Sequence, residues 1–203
     1  MAEQSKDGLI VIKLTTQKIP EFKEVKGKDW VSYGKDNLYP DYLISLFERS
    51  ATNNAIITGK VNYVLGEGWR GSKKGLTKIA EAKINDFIEN INPDESLNEL
   101  SEKISLDFEI YDAFYLEVVR KKNKKDFSLF HIPFNKMRTN EDETEFYYSK
   151  DWSIKNQDAE KTGFKKYLKF NPEKPAESSI FYFRILSPRK GKDANVYPLP
   201  NYI

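Results

Sequence analysis

The chain has 203 residues and a net charge of +2, with 33 Lys and Arg against 31 Asp and Glu. It is long enough to bury a sizeable core, and it exerts no global attraction on nucleic acid or on an acidic membrane. It has no cysteine and one histidine, His131, which excludes disulfide frameworks, thiolate-bound zinc, iron–sulfur clusters and cysteine nucleophiles. With 13 Phe, 12 Tyr and 3 Trp, the chain is too aromatic to be disordered. The polar start and the short apolar run Leu9 to Ile12 do not have the pattern of a signal peptide. No apolar stretch approaches the roughly 20 residues of a membrane-spanning helix, so no membrane partner is expected.

In chain order, the β-branched run Leu9 to Leu14 predicts a short strand, closed by Ile19-Pro20. Trp30 to Pro40 fits neither the helical nor the strand period and reads as an ordered aromatic loop. Pro40 opens a helix with Leu43, Leu46 and Phe47 on one face, ending near Arg49. A second helix, capped by Asn53 or Asn54, turns Ile57, Val61, Val64 and Leu65 inward and stops at Gly66 and Gly68, with Trp69 as an anchor behind them. Leu76, Ala80, Ile84, Phe87 and Ile91 recur at helical spacing before Asn92-Pro93. Ser96 to Glu99 forms a capping box for a fourth helix carrying Leu100, Ile104, Phe108 and Tyr111.

At Ala113 the period changes to two, which predicts a strand, and Phe127 to Ile132 predicts its hairpin partner across a basic tip. Glu145 to Ser149, Tyr167 to Phe170 and Ile180 to Leu186 are further short strands. Helices followed by antiparallel strands make an α+β fold, with N-terminal helices packed on a mainly antiparallel sheet.

No catalytic constellation emerges. His131 lies in an apolar strand end with no nearby elbow serine, and reads as a satisfied strand histidine. A metal-dependent nuclease would need clustered carboxylates and a lysine. Asp41, Asp94, Glu81 and Lys83 offer the residue types, but Glu81 and Lys83 fall on the polar face of a helix. Neither a metal nor a cofactor is expected, nor is enzymatic activity. Two charge runs remain: Lys121, Lys122, Lys124 and Lys125 at the hairpin tip, and Glu141, Asp142, Glu143 and Glu145 after the second hairpin strand. Such runs are usually solvated. The sharper readings are that the tip touches phosphates, or that tip and acidic run meet between subunits.

The segment Trp30-x-x-Tyr33-Gly34-x-Asp36-Asn37-x-Tyr39-Pro40, followed by Leu43, Leu46, Ser50 and Asn54 and by Gly66-x-Gly68-Trp69, resembles the N-terminal part of tailed-bacteriophage portal proteins, of the kind carried by phages and prophages of Bacteroidetes. The resemblance continues through Asp107 to Val118, Ile132-Pro133, Met137-Arg138 and Tyr147 to Trp152, and covers about residues 28 to 200. It implies an N-terminal arm over residues 1–27 and a wing-like α+β domain over 28–203, with the stem, clip and crown absent, as in a truncated chain. It implies a structural subunit of a dodecameric ring at the capsid vertex through which double-stranded DNA is packaged and ejected. The partners would be other copies of the chain, the major capsid protein, the terminase and head–tail adaptors, with the protein in the virion and, during assembly, in the host cytoplasm. Trp30, Tyr33, Gly34, Asn37, Tyr39, Pro40, Gly66 and Gly68 carry the signature and would have structural roles. The other readings of the residues are a small nucleic-acid-binding or adaptor module using the basic tip and, more distantly, the metal nuclease.

Overall fold

The computed structural model describes residues 22–72, 75–121, 126–174, 176–186 and 196–200, together with the backbone of residues 3–4 and 10–11. Strands β1 (Glu3–Gln4) and β2 (Ile10–Val11) pair with each other, so part of the expected strand Leu9 to Leu14 is present and the remainder lies outside the described residues. Strands β3 (Glu24–Lys26) and β4 (Val31–Tyr33) form a small antiparallel hairpin. The aromatic segment from Trp30 thus begins as a strand, and the hairpin spans the expected boundary between residues 27 and 28.

Helix α1 (Tyr39–Arg49) opens on Pro40, and after one extended residue α2 (Ala51–Leu65) follows. The cap of α2 is Ser50, not Asn53 or Asn54: its hydroxyl accepts the Asn53 N–H at 3.2 Å, satisfying an orphan donor of the first turn. Ile57 and Val61 are buried as expected, but Val64 is exposed because α4 covers only one side of α2. Thr77 caps α3 (Lys78–Glu89), and Ser96 and Glu99 make the capping box of α4 (Leu97–Tyr111). On and after α3, Ile88 and Ile91 turn inward while Leu76 and Phe87 face water, so its apolar periodicity marks the helix correctly and its buried face only in part.

Strand β5 (Ala113–Arg120) is central, between β6 (Phe127–Ile132) and β10 (Ser178–Arg184), all antiparallel. A second three-stranded sheet follows the order β7 (Met137–Thr139), β8 (Glu145–Tyr148), β9 (Lys165–Leu168). The strands form separate sheets, where the sequence suggested one. Strand β7 and the four-residue helix α5 (Ala159–Thr162) are too short for periodicity to reveal. One face of the β5 sheet packs Leu116, Phe114 and Leu129 against Leu97, Leu100 and Ile104 of α4. Its other face places Tyr115, Ile132 and Ile180 in a larger core with Phe134, Phe146, Leu43, Tyr33 and Tyr39. The α+β architecture is therefore three-layered around β5, as alternate side chains of a central strand require.

Candidate functional site

Tyr33 and Tyr39 sit in one buried aromatic core with Gly34, Asn37 and Pro40 buried beside them, whereas Gly66 and Gly68 lie apart at the end of α2. Tyr33, at the end of β4, stacks on Tyr197 with ring centroids 4.6 Å apart and planes 5° from parallel, and on Tyr39 at 5.5 Å. Gly34 has φ 86°, and a Cβ there would lie 2.7 Å from the Tyr39 Cβ, so the turn into α1 requires glycine both for conformation and for space. Pro40 is buried, and its carbonyl accepts the Tyr111 hydroxyl at 3.4 Å. Trp30 packs edge-on against Trp152 at 5.2 Å and beside Tyr147 and Phe164. Gly66 ends α2, and Gly68, with φ 77°, lies against the Asn98 side chain.

At the floor of this nucleus lies Arg138 on β7, fully buried. Its Nε donates to Asn37 Oδ1 at 2.6 Å, its Nη2 to the Asn37 carbonyl at 2.5 Å, and its Nη1 to the Asn135 and Met137 carbonyls. The guanidinium sits 4.9 Å over the Trp152 ring. Burial pushes its pKa down from the ordinary value, and the neighbouring Tyr197 and Asp41 oppose that shift. Asn37, in the left-handed region at φ 65°, also accepts the Tyr33 N–H at 3.0 Å. A buried cation bound mainly by carbonyl dipoles fixes three chain segments in a single geometry. Sequence reasoning alone does not single out Arg138; its only sign there is its place beside Met137 in the family resemblance.

The catalytic candidates do not assemble. His131 on β6 is held by Asp107 of α4, Nε2 to Oδ2 at 2.7 Å, and Asp107 also accepts the Phe134 N–H at 3.0 Å. Burial raises the Asp107 carboxyl above its usual range, against the opposing hydrogen bond and charge of His131. The dyad pins α4 to the end of β6. Asp41 lies on α1 and accepts the Asn135 amide at 2.8 Å, Glu81 and Lys83 lie on α3, and Asp94 lies in the turn before α4. Among the described residues no three His, Asp or Glu side chains gather as a metal site.

The charge runs are treated unequally. Lys121 is exposed, its N–H donating to the Asp126 carbonyl at 2.9 Å, while Lys122, Lys124 and Lys125 lie outside the described residues. In the acidic run, Glu141 pairs with Lys26, Glu143 with Arg184, and Glu145 with Lys166 at 2.7 Å; Asp142 is exposed. Three of the four carboxylates thus have cationic partners within their own chain, supplied by β3, β9 and β10.

Among the described residues the helices carry several exposed apolar side chains. Tyr63 on α2 is 89 % exposed, and Trp69 beyond it is 59 % exposed. Trp69 is therefore no core anchor, although its Nε1 donates to Ser101 Oγ at 2.8 Å. No protein-family model and no curated protein matches the chain. No helix of the described residues is long and apolar enough to cross a membrane.

Proposed function

We propose that the chain is a structural subunit of a phage portal ring, contributing a rigid wing-like body at the capsid vertex through which double-stranded DNA passes. The observation that carries this reading is the packing of the signature segment: Tyr33 and Tyr39 stack in the buried core, Asn37 holds the buried Arg138 guanidinium, and Trp30 packs on the Trp152 ring over which that guanidinium lies. Residues that a sequence resemblance ties together are here tied by packing, as expected where their common role is to hold a shape. Interlocked aromatic rings and a bonded Arg138 resist deformation, because close-packed interiors transmit strain with little give. A ring through which DNA is driven needs that stiffness in each subunit. Its partners on this reading are further copies of itself, the major capsid protein, the terminase and head–tail adaptors, with no cofactor.

Mass spectrometry of purified particles from an induced source culture tests the reading, together with electron microscopy of the purified protein. Peptides of this chain in DNA-filled heads, as a minor component beside the major capsid protein, are the expected result. Absence from particles, combined with salt-dependent DNA binding abolished by reversing Lys121, Lys122, Lys124 and Lys125, would replace it with the nucleic-acid-binding module.

A further inference from the structure

Helix α2 is apolar on two sides. Ile57 and Val61 point into the protein, whereas Ile56 and Tyr63, seven residues apart and one above the other, lie about a third of a turn round the helix from them, with Val64 exposed between. Lys60, between them in that stripe, is drawn to Glu109 of α4. The stripe runs on into Trp69, whose backbone N–H donates to Asn98 Oδ1 at 2.6 Å and whose indole N–H donates to Ser101. Val64, Gly68 and Trp69 enclose an open groove of about 450 Å³ with Ser101 and Ile104 of α4. The polar atoms of Trp69 are thus bonded inward while its ring remains in water.

This face is large enough for a macromolecular occupant. At about 200 Å² for a whole aromatic side chain, Tyr63 and Trp69 leave on the order of 300 Å² in water. Ile56 and Val64, each more than half exposed, add roughly 200 Å². About 500 Å² matches the apolar share, roughly 60 %, of the ~800 Å² that each partner gives to a standard interface.

The chain also presents a ridge of complementary form. On α3, Ile79, Lys83 and Phe87 are exposed, Ile79 at 73 %, and fall on one line at steps of four, with Leu76 exposed just before the helix. We propose that the α2–Trp69 face of one copy receives the α3 ridge of a second copy of this chain. A ridge seating in a groove is the ordinary way helices pack. Two unlike patches on one chain make a head-to-tail contact, which closes into a ring when the rotation permits. The identity of the partner as a second copy rests on the ring reading above.

Sedimentation of the whole chain, taken up to about 1 mM, tests it with two variants altered only on exposed side chains: Tyr63→Glu, which spoils the face, and Ile79→Glu, which spoils the ridge. The wild type should associate, and each variant alone should associate at least about tenfold more weakly. An equimolar mixture of the two should form a dimer and nothing larger, since only the intact ridge of one and the intact face of the other remain. Should either glutamate lower the melting temperature by more than about 5 °C, Tyr63→Ser and Ile79→Ser repeat the test. A mixture that stays monomeric, variants that associate like the wild type, or a wild type monomeric throughout would overturn the proposal. Rings that persist in both variants would remove this contact and leave the ring reading standing; absence from particles would remove the ring reading itself.

Discussion

Arg138 and Asn37 lie 101 residues apart in the chain, yet the guanidinium donates to both the side-chain oxygen and the carbonyl of that single asparagine, at 2.6 and 2.5 Å. The pair joins the turn before α1 to β7. Asn37→Ala should cost about 3 to 5 kcal/mol, because it leaves a buried guanidinium donor and the Tyr33 N–H without their acceptor. Asn37→Asp keeps the acceptor and adds an opposite charge, so it should recover most of that loss. Urea unfolding followed by tryptophan fluorescence measures both.

The glycines give a graded test of backbone against space. Gly34→Ala meets a left-handed φ and a methyl clash with Tyr39 at once, and should cost about 3 kcal/mol. Gly66→Ala has no atom within 4 Å of the added carbon, but φ 53° with ψ −122° lies outside the left-handed helical region, so backbone strain alone should cost about 1 to 3 kcal/mol. Equal losses in thermal melting would show that the contact with Tyr39 does not matter.

Buried tyrosines make the fold sensitive to alkali in a definite direction. Burial raises the phenols of Tyr33, Tyr115, Tyr182 and Tyr197, and pushes Tyr39 and Tyr167 up to about 12. A folded pKa above the unfolded value of about 10 means that stability is fully present below pH 10 and is lost as pH rises through the folded values. The phenolate absorbance of these six should therefore rise late, above about pH 11, together with loss of near-ultraviolet dichroism. An early rise at pH 10 for all twelve tyrosines would mean that the nucleus is open to solvent.

Plasmid DNA incubated with the protein and magnesium or manganese should remain intact. Asp41 is committed to the Asn135 amide, and Glu81 and Lys83 lie on a different helix from it. Cleavage abolished by Asp41→Asn or Glu81→Gln would give the chain a catalytic site that its geometry does not suggest.

Local features could be read along the chain. The Ser96–Glu99 capping box, Pro40 at the first turn of α1, Gly66 after α2 and the change of period at Ala113 each depend on residues within a few positions of one another, so helices and the central hairpin were legible without the fold. Which side chains face inward follows from how distant segments pack. Val61 and Val64 have the same chemistry one helical turn apart, and the position of α4 against α2 alone buries the first and leaves the second in water. Likewise Arg138 looks like any surface cation until β7 sets it beside Asn37 and Trp152, and His131 has no visible partner until α4 crosses the sheet with Asp107. Burial and charge pairing are properties of where distant segments meet, whereas caps and periodicity are properties of neighbours along the chain.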